Sequence, residues 1–117
     1  PPPQAVGSAD PSSSPAMILR AVYVTVEPGR TDDYWSWADD ILELWDEHGI
    51  QRHGGPYKSK GPDGEDTAVW LTLHHSEQHA HDEFRAMYTT EAGRALLEKR
   101  PPLVADTSVI NYTPYDQ

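Results

Sequence analysis

Apolar positions change period along this chain, and each change marks an element. Residues 18–26, ILRAVYVTV, are β-branched and aromatic and predict a strand. Glu27-Pro28-Gly29-Arg30 breaks it. Thr31 follows as a helix N-cap, with Asp32 and Asp33 at the positive end of the helix dipole. Tyr34, Trp37, Ala38, Ile41, Leu44 and Trp45 then recur at spacings of three and four, one stripe of a helix that runs to His48. Gly49 stands where a helix C-cap glycine is expected. His48 in the last turn is a dipole-favoured residue. Residues 51–59 predict a weaker strand, which Pro56 confines to an edge or a bulge. Gly61–Asp66, GPDGED, is a hairpin loop by its turn chemistry. Residues 67–75, TAVWLTLHH, predict another strand. Ser76 caps a helix carrying Ala80, Phe84 and Met87, and Thr89 or Thr90 caps a short one carrying Ala92, Ala95, Leu96 and Leu97. Pro101-Pro102 ends it, and residues 103–113 predict the last strand.

The order is βαββαβ with the second helix broken in two. It predicts an α+β fold of ferredoxin-like plan, a four-stranded antiparallel sheet with helices on one face. Alternate strand residues point to opposite faces, and here neither parity is polar. Helices cover one face only. The other exposes Tyr23, Leu71, Leu73, Ile110 and Tyr112 as a contiguous patch, the kind that marks an association surface. The expectation is a two-fold homodimer packed sheet to sheet.

Composition narrows the function. Residues 1–16, nearly all Pro, Ser, Ala and Gly, read as a disordered arm without the apolar stretch of an intact signal peptide, ahead of one domain over residues 17–117. There is no cysteine, so no disulfide, thiol nucleophile or thiolate metal site is available. No apolar run approaches the roughly 20 residues of a membrane span, and a cytoplasmic location is expected. A formal charge of −10 argues against nucleic acid. Asp32, Asp33, Asp39, Asp40, Glu43, Asp46 and Glu47, with no Lys or Arg among them, read as a solvated helix face.

Several segments together resemble the dimeric α+β barrel superfamily, and within it the NIPSNAP-like proteins. They are EPGRTDDYW after the first strand, WDEHGI closing its helix, GGPY, VWLTLHHSE and the FRAMYTTEAGRALLEK helix pair. The closing VINYTPY is also similar to the end of a plant polyketide cyclase. The resemblance spans residues 17–115. It implies a dimeric barrel in which each subunit has a pocket between sheet and helices. The superfamily holds cofactor-free monooxygenases, polyketide cyclases, haem-degrading enzymes, muconolactone isomerase-like enzymes and stress proteins. No cofactor is expected for this chain. The cyclase's Tyr and His positions fall on Phe84 and near Thr90 here, which argues against the same cyclase chemistry.

In that orientation the helix-side parity carries Arg20, Val22 and Val24, then Trp70, Thr72 and His74, then Asn111. Apolar walls with a few convergent polar groups suit a small-molecule pocket. His74 is the candidate general base. Arg20 would hold an anion and Asn111 would bond a carbonyl or oxyanion. Trp35, Phe84 and Met87 are candidate lining from the helices, and His53 and Tyr57 candidate residues of the mouth. His74, His75, His79 and His81 gather at one strand-to-helix corner, with His79 and Glu83 one helical turn apart. No third ligand is placed and His74 and His75 point apart, so no metal site is expected. The functional expectation is a protein binding a small apolar or aromatic molecule, with cofactor-independent oxygenation, cyclisation or isomerisation as its chemistry. The alternative is a non-catalytic stress or interaction module with a packed barrel.

Overall fold

A computed structural model describes residues 17–115; the expected arm at 1–16 lies outside the described residues. The chain forms β1 (Ile18–Val26), α1 (Thr31–Glu47), β2 (Tyr57–Lys60), β3 (Asp66–His74), α2 (Glu77–Tyr88), α3 (Glu91–Lys99), a 3-10 turn over Pro101–Leu103, and β4 (Val104–Tyr112). The antiparallel sheet has the order β2-β3-β1-β4. This is the expected ferredoxin-like α+β arrangement, with β1 and β3 central and β2 and β4 at the edges.

The capping chemistry operates largely as expected. The Ser76 hydroxyl accepts from the His79 N–H at 3.0 Å, and the Thr90 hydroxyl accepts from the Gly93 N–H at 3.0 Å. Thr31 differs. It is the first helical residue, behind Arg30, and its hydroxyl bonds the Asp66 carboxylate at the start of β3 instead of capping its own helix. The weak strand also shrinks, to Tyr57–Lys60 with one bridge from Arg52 to Thr72. Gly54 (φ +74°) and Gly55 (φ +70°) are the cause, because left-handed backbone interrupts an extended run.

The core lies between the helix-facing side of the sheet and α1. Val24, Val26, Ala68 and Trp70 pack on Tyr34, Trp37, Ala38, Ile41, Leu44 and Trp45, with Met87 and Leu103 closing the ends. Two hydrogen bonds fix the layers. Trp70 Nε1 donates to the Tyr34 hydroxyl at 2.7 Å, joining β3 to α1, and Trp37 Nε1 donates to the Leu96 carbonyl at 2.8 Å, joining α1 to α3. Burial pushes the Tyr34 phenol up to about 12, against the opposing pull of the Trp70 N–H.

The opposite face of the sheet is open in the single chain. Tyr23, Ile110 and Tyr112 are 40%, 43% and 43% exposed, and Leu71 and Leu73 are half-buried. The Tyr23 and Tyr112 hydroxyls meet at 3.0 Å. Ala21, which pairs with Leu71 and Ile110 in the register between these tyrosines, is fully covered.

Two outcomes follow from this packing. A Cβ on Gly93 would stand 2.1 Å from the Met87 carbonyl oxygen, at the tight α2–α3 corner. Gly93→Ala should therefore destabilise by about 3 kcal/mol, the upper end for overpacking, in urea unfolding; a change below about 1 kcal/mol would refute the close approach. Tyr34 has a raised folded pKa, so its contribution is whole below the unfolded value near 10 and is lost as pH rises toward about 12. Stability should fall by roughly 2 kcal/mol over that window, with a late phenol visible in ultraviolet titration of the native protein and absent in Tyr34→Phe.

Candidate functional site

Strand register builds one wall of a cleft. Val22 sits between Trp70 and Val109, and Arg20 between Thr72 and Asn111, all on the helix-facing side. The helix layer stands over β3 and β1 but leaves β4 uncovered, with Val109 still 45% exposed. The gap is a cleft of about 370 Å³ between the sheet and the helices. Arg20, Val22, Val24, Trp70, Thr107 and Val109 line it from the sheet. Tyr34, Trp37, Ile41 and Trp45 line it from α1, and Phe84 and Tyr88 from α2. Leu97 of α3 and Arg100 just beyond it complete the rim.

The lining is aromatic and set edge to face. Trp45 meets Trp70 at 5.1 Å and 68° and Phe84 at 5.8 Å, and Trp37 meets Trp70 at 6.5 Å and 73°. The Arg20 guanidinium lies 5.1 Å from the centre of the Phe84 ring. Among the described residues, three buried side-chain polar atoms have no hydrogen-bond partner: Arg20 Nε, Trp45 Nε1 and Asn111 Oδ1. Arg20 and Trp45 line the cleft, and Asn111 is the cross-strand neighbour of Arg20. An orphaned buried polar group costs roughly 1–3 kcal/mol. Two of the three therefore belong to side chains of the cleft.

Electrostatics agree with this picture. Burial lowers the Arg20 pKa, because a desolvated cation is disfavoured. Burial raises the Tyr88 phenol, opposed by Arg100, by the nearby Trp45 N–H and by Arg20. The Arg100 guanidinium donates to the Thr107 hydroxyl at 2.8 Å.

The structure brings some of the expected residues together and not others. Arg20, Val22, Val24, Trp70 and Phe84 line the cleft. Thr72, Met87 and His74 are buried outside it. His74 is 1% exposed, with Nδ1 at 2.6 Å from Glu83 Oε1 and Nε2 at 2.7 Å from the Thr72 hydroxyl. Both ring nitrogens are engaged, and the ring lies against Phe84 at 5.4 Å. His74 therefore presents no free nitrogen to the cleft as a base. Trp35 points away toward Lys58, whose ammonium is 5.0 Å from its ring centre. Tyr57 pairs with Val69, whose parity faces away from the helices, and lines the open face instead. His53 is exposed, tied by its backbone N–H to the Leu71 carbonyl.

Trp37, Ile41, Trp45, Tyr88, Leu97 and Arg100 were not among the expected lining. Helix residues on one stripe read as core whether or not a cleft opens beside them. Arg100, directly before Pro101-Pro102, is the one with a signal, a cation held at the turn that feeds β4. Among the described residues no three His, Cys, Asp or Glu side chains group as metal ligands. His79 and Glu83 stand 3.9 Å apart, and the His75 and His79 rings stack at 5.0 Å. No helix among the described residues is long and apolar enough to cross a membrane.

The sequence matches no protein-family model and no curated protein. Solved structures do resemble the fold. A NIPSNAP family protein from Agrobacterium tumefaciens str. C58 superposes with a TM-score of 0.71 at 12% identity, over 87% of this chain and 89% of that one. An uncharacterised NIPSNAP domain protein from Burkholderia xenovorans gives 0.67 at 10% identity, over 83% and 93%. A protein of the antibiotic biosynthesis monooxygenase type from Nitrosomonas europaea gives 0.56 at 12% identity, over 85% and 90%. At these identities the likeness is one of architecture, and the chain has the ferredoxin-like α+β fold of the NIPSNAP and antibiotic biosynthesis monooxygenase-type proteins.

Proposed function

We propose that this chain binds a small, largely aromatic molecule in the cleft between sheet and helices, and does so as a homodimer packed through the open sheet face. The aromatic lining of one cleft that also holds the unpaired side chains of Arg20 and Trp45, with Asn111 next to Arg20 on the neighbouring strand, carries the reading. The edge-to-face rings supply the apolar contact area. Arg20 and Asn111 orient the ligand's polar group. The chemistry that suits such a site is cofactor-independent oxygenation, cyclisation or isomerisation, which starts from the substrate's own stabilised anion. The engaged ring of His74 favours binding without turnover, because a general base needs a nitrogen within reach of the ligand.

Dimerisation is supported by the uncovered Tyr23, Ile110 and Tyr112 beside half-buried Leu71 and Leu73. Apolar surface of that extent is stabilised by association at about 25 cal/mol per Å².

Titration with neutral 2-naphthol should quench the emission of the cleft tryptophans with saturation. Val109→Trp, which fills the open rim, should weaken that binding at least tenfold; unchanged binding would sink the cleft reading. Light scattering at micromolar concentration should give twice the chain mass, and Ile110→Asp should give the monomer. A monomeric parent protein would remove the dimer.

A further inference from the structure

The charges around the cleft are distributed against the charge of the whole molecule. The chain carries a formal charge of −10, yet among the described residues no Asp or Glu lines the cleft, and the only ionised side chains they bring to it at neutral pH are Arg20 and Arg100. Among the described residues neither arginine forms an ion pair; the ion pairs there join Arg30 to Asp33 and Lys60 to Asp66, away from the cleft. Arg20 is half-buried with Nε bare, and its guanidinium rests on the Phe84 ring. Arg100 is engaged only through one nitrogen, with the Thr107 hydroxyl on β4.

The other polar groups of the cleft are donors too. Tyr34 oxygen accepts from Trp70, which leaves its own O–H to donate. Trp45 Nε1–H is a donor by nature, near the Tyr88 phenol but without a full hydrogen bond. Cations and O–H and N–H donors around an apolar, aromatic floor, with no carboxylate, make a site complementary to a delocalised anion on a ring system. An unpaired cation in a partly desolvated cleft is costly until an anion meets it.

We infer that the ligand of this cleft is an aromatic acid, its rings held among Trp45, Trp70 and Phe84 and its anionic oxygens seated between Arg20 and Arg100. The inference rests on the cleft being a ligand site at all. It makes Arg20 the main determinant of ligand charge, because its side chain lines the cleft with no ion-pair partner among the described residues, and Arg100 the rim contact. A carboxylate and an acidic enolate or phenolate share this chemistry, and both place negative charge on oxygens beside a ring.

The test compares 3-hydroxy-2-naphthoate with its uncharged methyl ester, by tryptophan quenching at neutral pH and low ionic strength. The parent protein should bind the acid at least tenfold more tightly than the ester. Arg20→Gln should lower acid affinity about tenfold and leave the ester within twofold. Arg100→Gln, at the chain's periphery, should lower acid affinity severalfold and gives an independent reading if Arg20→Gln fails to fold by circular dichroism. Added salt should weaken the acid and spare the ester. Equal binding of acid and ester, with 2-naphthol still bound, would overturn the charge inference alone. Acid affinity insensitive to both substitutions would overturn it as well. Failure of acid, ester and 2-naphthol to bind would overturn the cleft reading with it.

Discussion

The Trp70 indole donates to the Tyr34 hydroxyl at 2.7 Å, and that contact sets where the helix layer lies. Trp70 is on the inner strand β3, and Tyr34 is in the first turn of α1. The bond pins α1 over β3 and β1, and the Trp37 bond to the Leu96 carbonyl then draws α3 alongside. A helix layer held there does not reach across to β4. That strand is almost wholly exposed along its length, on both faces. Its helix-facing side, through Thr107 and Val109, becomes a wall of the cleft. Its other side, through Ile110 and Tyr112, becomes part of the open apolar face. The shortfall of helix cover over β4 thus opens the cleft, and the helix-free side of the sheet carries the surface proposed for dimerisation.

Charge is sorted along the same geometry. The acids of α1 fall on positions 32, 33, 39, 40, 43, 46 and 47, all exposed, while Tyr34, Trp37, Ile41 and Trp45 of the same helix face inward. The helical period alone separates a strongly acidic outer face from an aromatic inner one. Solvent and salt screen the outer acids, so they do little to neutralise arginines across the helix layer. Arg20 and Arg100 keep their charge effective inside a wall of low polarity, where an ionic contact is worth more than it is in water.

Much of this was legible in the sequence, because strand parity is a strict rule. The helix-facing placement of Arg20, Val22, Val24 and Trp70 follows from their spacing alone. So does the exposure of Tyr23 and Tyr112. The helices were less legible. A stripe of Trp and Ile predicts which side faces inward but not whether that side meets packed atoms or a gap. Trp45 reads as core and is only 5% exposed, yet it lines the cleft. His53 and Tyr57 keep a common parity across the two left-handed glycines, but it is the parity of Val69 and Leu71 on the open face, and period two alone does not say which face a separate edge strand presents to the helices. His74 was placed correctly on the helix side, but Glu83 meets it from nine residues away across a strand-to-helix corner. No periodicity announces such a pairing.

Phe84 connects the closed part of this architecture to the open part. Its ring touches His74 on one side at 5.4 Å and the Arg20 guanidinium at 5.1 Å, with Trp45 at 5.8 Å and Tyr88 stacked at 6.3 Å. The His74–Glu83 pair ties α2 to the end of β3, and Phe84 is the next residue after Glu83. The position of the ring against Arg20 therefore depends on a buried hydrogen-bond network that the ligand never meets. Thr72 completes that network and is the cross-strand neighbour of Arg20. In this arrangement the histidine acts by position. It holds the aromatic plate on which the Arg20 guanidinium rests, and in the proposed complex that plate sets where an anionic oxygen lies relative to the rings.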